Sequence, residues 1–168
     1  MKWIGISGSW RATSSEVEND VRSFVRTTIE HGDGIVTGGA LNVDYFATDE
    51  ALKHDANASQ IKVFLPTTLE RYAAHYRKRS EEGVITSEQA EMLVAQLTEL
   101  QRRNSEALIE NKENEIIDTA NYYKRNTDVV DASDELAAFQ VNDSKGTQDT
   151  IDKARAEGKA VLLKKYTL

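Results

Sequence analysis

The 168 residues carry 21 lysines and arginines against 28 aspartates and glutamates, a net charge of -7 that works against holding a nucleic-acid backbone, because that affinity comes from clustered cations displacing counterions. The length fits one domain, residues 1–168, with no need of disulfide or metal support; the lack of cysteine removes disulfides, thiolate nucleophiles and cysteine zinc sites, and His31, His54 and His75 fall into no ligand spacing, so neither a metal nor a resident cofactor is expected. No apolar run approaches the roughly 20 residues of a membrane span, and the opening MKWIGISGSW lacks the order of a secretory signal, so a cytoplasmic location is expected.

Residues 2–6 (KWIGI) form a short apolar run that stops at Ser7-Gly8-Ser9, which predicts a buried strand entering a loop. Ser15 with Glu18 reads as a capping box, and Val17, Val21, Phe24, Val25, Thr28 and Ile29 recur at helical spacing up to Gly32. A second strand from Gly34 runs into Gly38-Gly39, and a second helix begins near Asn42, with Val43, Phe46, Ala47 and Ala51 on one face. Residues 60–65 (QIKVFL) give a third strand, ended by Pro66. From Thr68 to about Asp118 the pattern is charged and helical, with no strand, and reads as an insertion of two or three helices. Its first reading is a solvated hairpin on the sheet edge; a lid or a dimer contact is the alternative. A helix around 119–132, a strand at 135–141, the loop Asn142 to Thr147, a helix to Glu157 stopped by Gly158, and a last strand from Ala160 complete the chain. About five short strands alternating with helices predict a three-layer, Rossmann-like, doubly wound parallel α/β sheet.

In such a sheet, ligands bind beyond the carboxyl ends of the strands where the strand order reverses. With the predicted strands in the order 3-2-1-4-5, the loops 7–11 (SGSWR), 37–41 (TGGAL) and 142–147 (NDSKGT) converge there. Each contains glycine and precedes a helix, so backbone amides and the positive end of a helix dipole are expected to hold a phosphate. The candidate ligand-binding residues in these loops are Gly8, Ser9, Arg11, Gly38, Gly39, Ala40, Ser144, Gly146 and Thr147, with Arg11 placed to fork onto a phosphate. Valine at Gly39 or Gly146 is expected to abolish binding with little loss of fold. Neither GxGxxG nor GxxxxGK[ST] is present, which disfavours the dinucleotide and P-loop modes. Asp44 and Asp149 each sit in a first helical turn, where a carboxylate caps the helix, contacts ribose hydroxyls or supports a cationic sugar transition state. Trp10 is available to stack on a base, whereas Trp3, inside a strand, reads as core.

The order GISGSWR, IVTGGALNVDYFATDEAL, RNTDVVDASDELAAF and SKGTQDTIDKARAEGKAV resembles the Rossmann-like superfamily that contains DNA-processing protein A and the Lonely-guy phosphoribohydrolases. Gly38-Gly39, Asp44 and Ala51-Leu52 stand where the DNA-processing proteins have a serine-glycine turn, an aspartate and an alanine-leucine pair. Arg125-Asn126 matches their RN pair upstream of a serine-aspartate, here Ser133-Asp134, and Gly146-Thr147 their later glycine turn. The resemblance covers all but the helical insertion. It implies a nucleotide or nucleic-acid ligand in the cleft, adds Arg125 and Asn126 to the binding set, and makes a homodimer the expected assembly. Where the phosphoribohydrolases have PGGxGTxxE this chain has SKGTQDT, with Asp149 at the position of the first catalytic-type glutamate.

Three readings follow. The first is a sensor or carrier module that binds a nucleotide or nucleotide-derived phosphate ligand. The second is a phosphoribohydrolase cleaving the N-glycosidic bond, with Asp149 or Asp44 stabilising the sugar cation; no general acid for the base is evident. The third, weaker in so acidic a chain, is a single-stranded DNA binder using Arg71, Arg77, Lys78 and Arg79 with Tyr72 or Tyr76 for stacking.

Overall fold

The structure, a computed structural model, describes residues 1–168. Six parallel strands form one sheet: β1 (Trp3–Gly8), β2 (Gly34–Thr37), β3 (Ile61–Phe64), β4 (Leu108–Ile109), β5 (Glu135–Val141) and β6 (Val161–Tyr166), in the spatial order β4-β3-β2-β1-β5-β6. Six helices connect them: α1 (Ser15–Glu30), α2 (Val43–His54), α3 (Leu69–Glu81), α4 (Ser87–Arg103), α5 (Thr119–Asp131) and α6 (Lys145–Ala156). The fold is the expected Rossmann-like α/β sheet with helices on both sides.

The alternation of side chains along β5 shows how the two faces are filled. Ala137, Phe139 and Val141 join Val17, Val21 and Val25 of α1 in the larger core, while Leu136 and Ala138 point the other way, onto Val130 of α5 and Ile151 and Ala154 of α6. A strand covered on both faces must be apolar throughout, which is why ELAAFQV is a run and not an alternating pattern. The larger core continues through Leu93, Leu97 and Leu100 of α4, all fully buried.

Two expectations are corrected. The segment 68–118 is not strand-free: Leu108 and Ile109 pair with Val63 and Phe64 as a parallel edge strand, so the sheet has six strands and the apparent insertion is a two-helix crossover from β3 to β4. A two-residue strand is too short to show a period of two, and the surrounding charge hid it. The cap of α1 is Ser14, whose hydroxyl accepts from the Val17 amide at 3.3 Å, in place of the Ser15–Glu18 box.

The chain lays β2, β3 and β4 successively to one side of β1, then crosses to its other side for β5 and β6. The order therefore reverses between β1 and β5, where Ser7 pairs in register with Ala138 and Gly8 with Phe139. The loops after these two strands emerge side by side. No helix is long and apolar enough to cross a membrane.

Truncating a fully buried core side chain removes its transfer energy and leaves a cavity. Leu97→Ala should lower unfolding free energy by about 2–5 kcal/mol, whereas Leu162→Ala, at a half-exposed position on edge strand β6, should stay within about 0.5 kcal/mol. Urea denaturation of both variants checks this.

Candidate functional site

A cleft of about 690 Å³ lies over the carboxyl ends of β1 and β5, walled by residues from the loops after β1, β2 and β5 and from α3 and α5. The three glycine loops do converge there, but they are built differently.

In the loop after β1, the buried Ser9 hydroxyl accepts from the amides of Arg11 (3.3 Å) and Ala12 (3.4 Å), closing a tight turn that turns Trp10 outward. The Arg11 guanidinium lies 4.8 Å from the Trp10 ring centre and pairs with no carboxylate. Gly8 lines the cleft, yet the space its missing side chain leaves is needed by α2: a Cβ there would come within 2.4 Å of Val43.

In the loop after β2, the amides are already occupied. The Asp44 carboxylate, 6% exposed, accepts from Gly38 and Ala40, each at 3.2 Å, and the Gly39 amide donates to Thr37 Oγ1 at 3.3 Å. The carbonyls are engaged too: Arg125 Nη1 donates to Gly38 O, and the Tyr72 hydroxyl to Gly39 O at 2.9 Å. Ala40 and Asp44 reach the cleft, whereas Gly38 and Gly39 do not. Gly38 is glycine because a Cβ would lie 2.6 Å from the Arg125 guanidinium carbon. Gly39 has φ +68° and a Cβ would lie 2.8 Å from Leu65. The expectation that Gly39→Val spares the fold is corrected: the residue is enclosed by core.

The loop after β5 is the open one. Asn142 and Asp143 take positive φ (50° and 52°), turning the chain into α6. Ser144 stands at the N-cap, but its hydroxyl donates to Thr147 Oγ1 at 2.6 Å and caps no amide. The N–H groups of Lys145, Gly146 and Thr147 find no protein acceptor, and nothing lies within 4 Å of where a Gly146 side chain would start. A helix start with three free donors and no cap is an anion-binding geometry. Lys145, exposed and without a carboxylate partner, stands at the same end.

Arg125 and Asn126 come from α5. Arg125, 7% exposed, donates through Nε to Asn126 Oδ1 (3.2 Å), and its guanidinium carbon sits 5.4 Å from the Tyr122 ring centre. Burial opposes its charge, but Tyr72 and Asp44 more than offset this and its pKa lies above the usual value. Burial likewise pushes the Asp44 carboxyl up, against the pull of Arg125 and the two amides. Asn126 donates to Asp149 at 3.2 Å, and Lys153 Nζ holds the same Asp149 oxygen at 2.8 Å. Asp149 is thus tied along α6 and does not line the cleft.

The wall that sequence reasoning missed is α3. Tyr72, His75, Tyr76 and Arg79, spaced as one helical face, all turn toward this region, and His75, Tyr76 and Arg79 line the cleft. Tyr72 and Tyr76 are buried, with ring centres 4.9 Å apart, so neither can stack on a nucleic-acid base as the third reading required. Two of its four basic residues are also engaged: Arg77 pairs with Glu91 and Arg79 with Glu82, each at 2.9 Å. Burial, with Arg79 and Lys78 nearby and against the pull of Glu82, holds His75 below the ordinary imidazole value. Within a chain of net charge -7, the cleft presents Arg11, Arg79, Arg125 and Lys145 against only Asp44 and Asp118.

No protein-family model matches the chain, and no curated protein matches it in sequence. Among solved structures it is similar to DNA processing protein A from Helicobacter pylori, described for its single-stranded DNA binding mode, at 19% identity and TM-score 0.69 over 95% of this chain and 63% of that one. It is also similar to TM1055, a structural-genomics target, at 16% identity and TM-score 0.57 over 96% of this chain and 72% of that one. A third likeness is to the molybdenum cofactor carrier protein of Chlamydomonas reinhardtii, at 20% identity and TM-score 0.52 over 99% and 79%. The chain is a Rossmann-like α/β protein. Its fold is similar to that of DNA processing protein A, and it spans less than two thirds of the Helicobacter protein.

The two glycines, Gly39 enclosed by core and Gly146 open to the cleft, should separate cleanly. Gly39→Val should cost more than about 2 kcal/mol of stability through overpacking and backbone strain. Gly146→Val should cost no more than about 1 kcal/mol. Thermal and urea unfolding of the two variants measure the difference.

Proposed function

We propose that the cleft binds a nucleotide or nucleotide-derived phosphate ligand, as a sensor or carrier module, with a phosphate on the amides of Lys145, Gly146 and Thr147. The observation that carries this is the uncapped start of α6: three free donors, an open glycine and a cap serine turned aside, at the switch point of the sheet. Arg11 and Lys145, both free of ion pairs, complete the anion-receiving end. The fold relatives are consistent with such a ligand, one being described as binding single-stranded DNA and another as a cofactor carrier.

Binding is favoured over hydrolysis because a glycosidic cleavage needs a carboxylate aimed at the sugar. Asp149 is engaged by Lys153 and Asn126 outside the cleft wall, and Asp44, though it reaches the cleft, is held at the first turn of α2 by two backbone amides on its Oδ2. Nucleotide is favoured over a long single strand because the acidic body offers no continuous track of free cations.

Calorimetric titration with ribonucleoside 5′-monophosphates tests the reading. Gly146→Val should stay folded and lose at least about tenfold in affinity, close to 1.4 kcal/mol, and Lys145→Ala should lose a few-fold. A folded Gly146→Val protein with unchanged affinity would refute the site, and release of free base during incubation would replace the carrier reading with the hydrolase.

A further inference from the structure

The cleft is chemically divided. At one end lie Ser9, Arg11, Lys145 and the open amides of α6; at the other, α3 and its turn into α4 present His75, Tyr76 and Ile85, faced by Tyr122 and Ile117. In the order β3-β2-β1-β5, the strands leading to these two ends are three positions apart, roughly 14 Å at ordinary strand spacing. A unit of base, ribose and phosphate spans such an interval with its charge at one end and its flat ring at the other. We propose that the α3 wall reads the base of the bound nucleotide, with His75 as the specificity-determining residue. This rests on the phosphate-site reading above and adds which end of the ligand is discriminated and by what.

His75 is mounted for that role. Its ring is packed edge-on against Tyr76, centres 5.5 Å apart at 85°, and its Nε2 meets the Tyr122 hydroxyl at 3.4 Å. Tyr76 is in turn locked to Tyr72, whose hydroxyl is bonded to Gly39 O, so the imidazole is supported back to the sheet. Its Nδ1 has no protein partner. The half-buried imidazole thus lines the cleft with one ring nitrogen free of any protein partner, beside the apolar Ile85 and Ile117 and one helical turn from Arg79. A base edge supplies a complementary donor or acceptor, and a site built around an unpaired polar atom rejects ligands that leave it unpaired. Behind His75 and Tyr76 sits Tyr72, fully buried and off the cleft, which supports Tyr76 and through it positions His75.

Calorimetry with the four common ribonucleoside 5′-monophosphates and with ribose 5-phosphate, on the wild-type chain, His75→Ala and Gly146→Val, tests the assignment. The wild type should bind at least one nucleotide about tenfold or more tighter than ribose 5-phosphate. His75→Ala should reduce that preference to within about twofold while leaving ribose 5-phosphate affinity unchanged, and Gly146→Val should weaken both ligands alike. If His75→Ala fails to fold, Tyr122→Phe, which removes only the hydroxyl that orients the imidazole, should erode the preference in the same direction. Wild-type affinity for ribose 5-phosphate equal to that for every nucleotide, or an equal loss of both ligands in the His75 variant, overturns the α3 assignment alone. Failure of the wild type to bind any of the five overturns the phosphate site, and this inference with it.

Discussion

The Asp44 carboxylate is the contact on which the cleft's geometry depends. It is buried at the first turn of α2, where it accepts from Gly38 and Ala40. A buried carboxylate is tolerated when it is hydrogen-bonded, and here Oδ2 takes both bonds from the amides of a loop that would otherwise leave them orphaned. With the amides turned inward to Asp44, the carbonyls of Gly38 and Gly39 are presented to Arg125 of α5 and Tyr72 of α3. One side chain thereby fixes the loop whose two carbonyls dock both helical walls. Replacing it would leave two amides unsatisfied and remove the nearest countercharge from a buried guanidinium, each a cost of about 1–3 kcal/mol.

Three loops with the same place in the topology thus have three different local chemistries. Ser9 closes the first from within, Asp44 closes the second, and the third keeps its donors because Ser144 bonds Thr147 and not the helix. The α6 start keeps open what a conventional cap would satisfy, a stabilisation of about 1 kcal/mol forgone. Local rules broken without a compensating contact tend to mark functional positions.

The sheet was legible because its strands read as short apolar runs ended by turn residues, glycine at the end of β1 and after β2, proline after β3 and Asn142-Asp143 after β5; β4, at two residues, offered no run to read. The glycine loops were placed correctly and their chemistry was not, since the same residue serves close packing, as at Gly38 against Arg125, and open approach, as at Gly146. Only three-dimensional crowding distinguishes the two. Asp149 carried a motif position, but its fate was decided by Lys153 one turn on and Asn126 from another helix. The α3 wall had a signal in the spacing of Tyr72, His75, Tyr76 and Arg79, yet an aromatic and basic helical face reads equally as a solvated surface, and the crossover that turns it inward leaves no trace in local pattern.

Charge decides the size of ligand such a cleft accepts. Most of the chain's cations are neutralised by its acidic excess: Glu50 alone gathers Arg22, Arg26 and Lys53, and Glu99 holds Arg102 and Arg103. Arg11 and Lys145 pair with no carboxylate, the one in the loop before α6, Asp143, being held by Lys165. A walled cleft focuses the field of such free cations, while the surrounding negative surface acts beyond it. At physiological salt the Debye length is about 8 Å, so an anion seated against α6 is governed by the nearby cations and amides. A long polyanion would extend past that range onto the acidic body, where each further phosphate meets repulsion or a cation already paired. Under the proposed reading, the same charge distribution favours a compact phosphate ligand over a nucleic-acid strand.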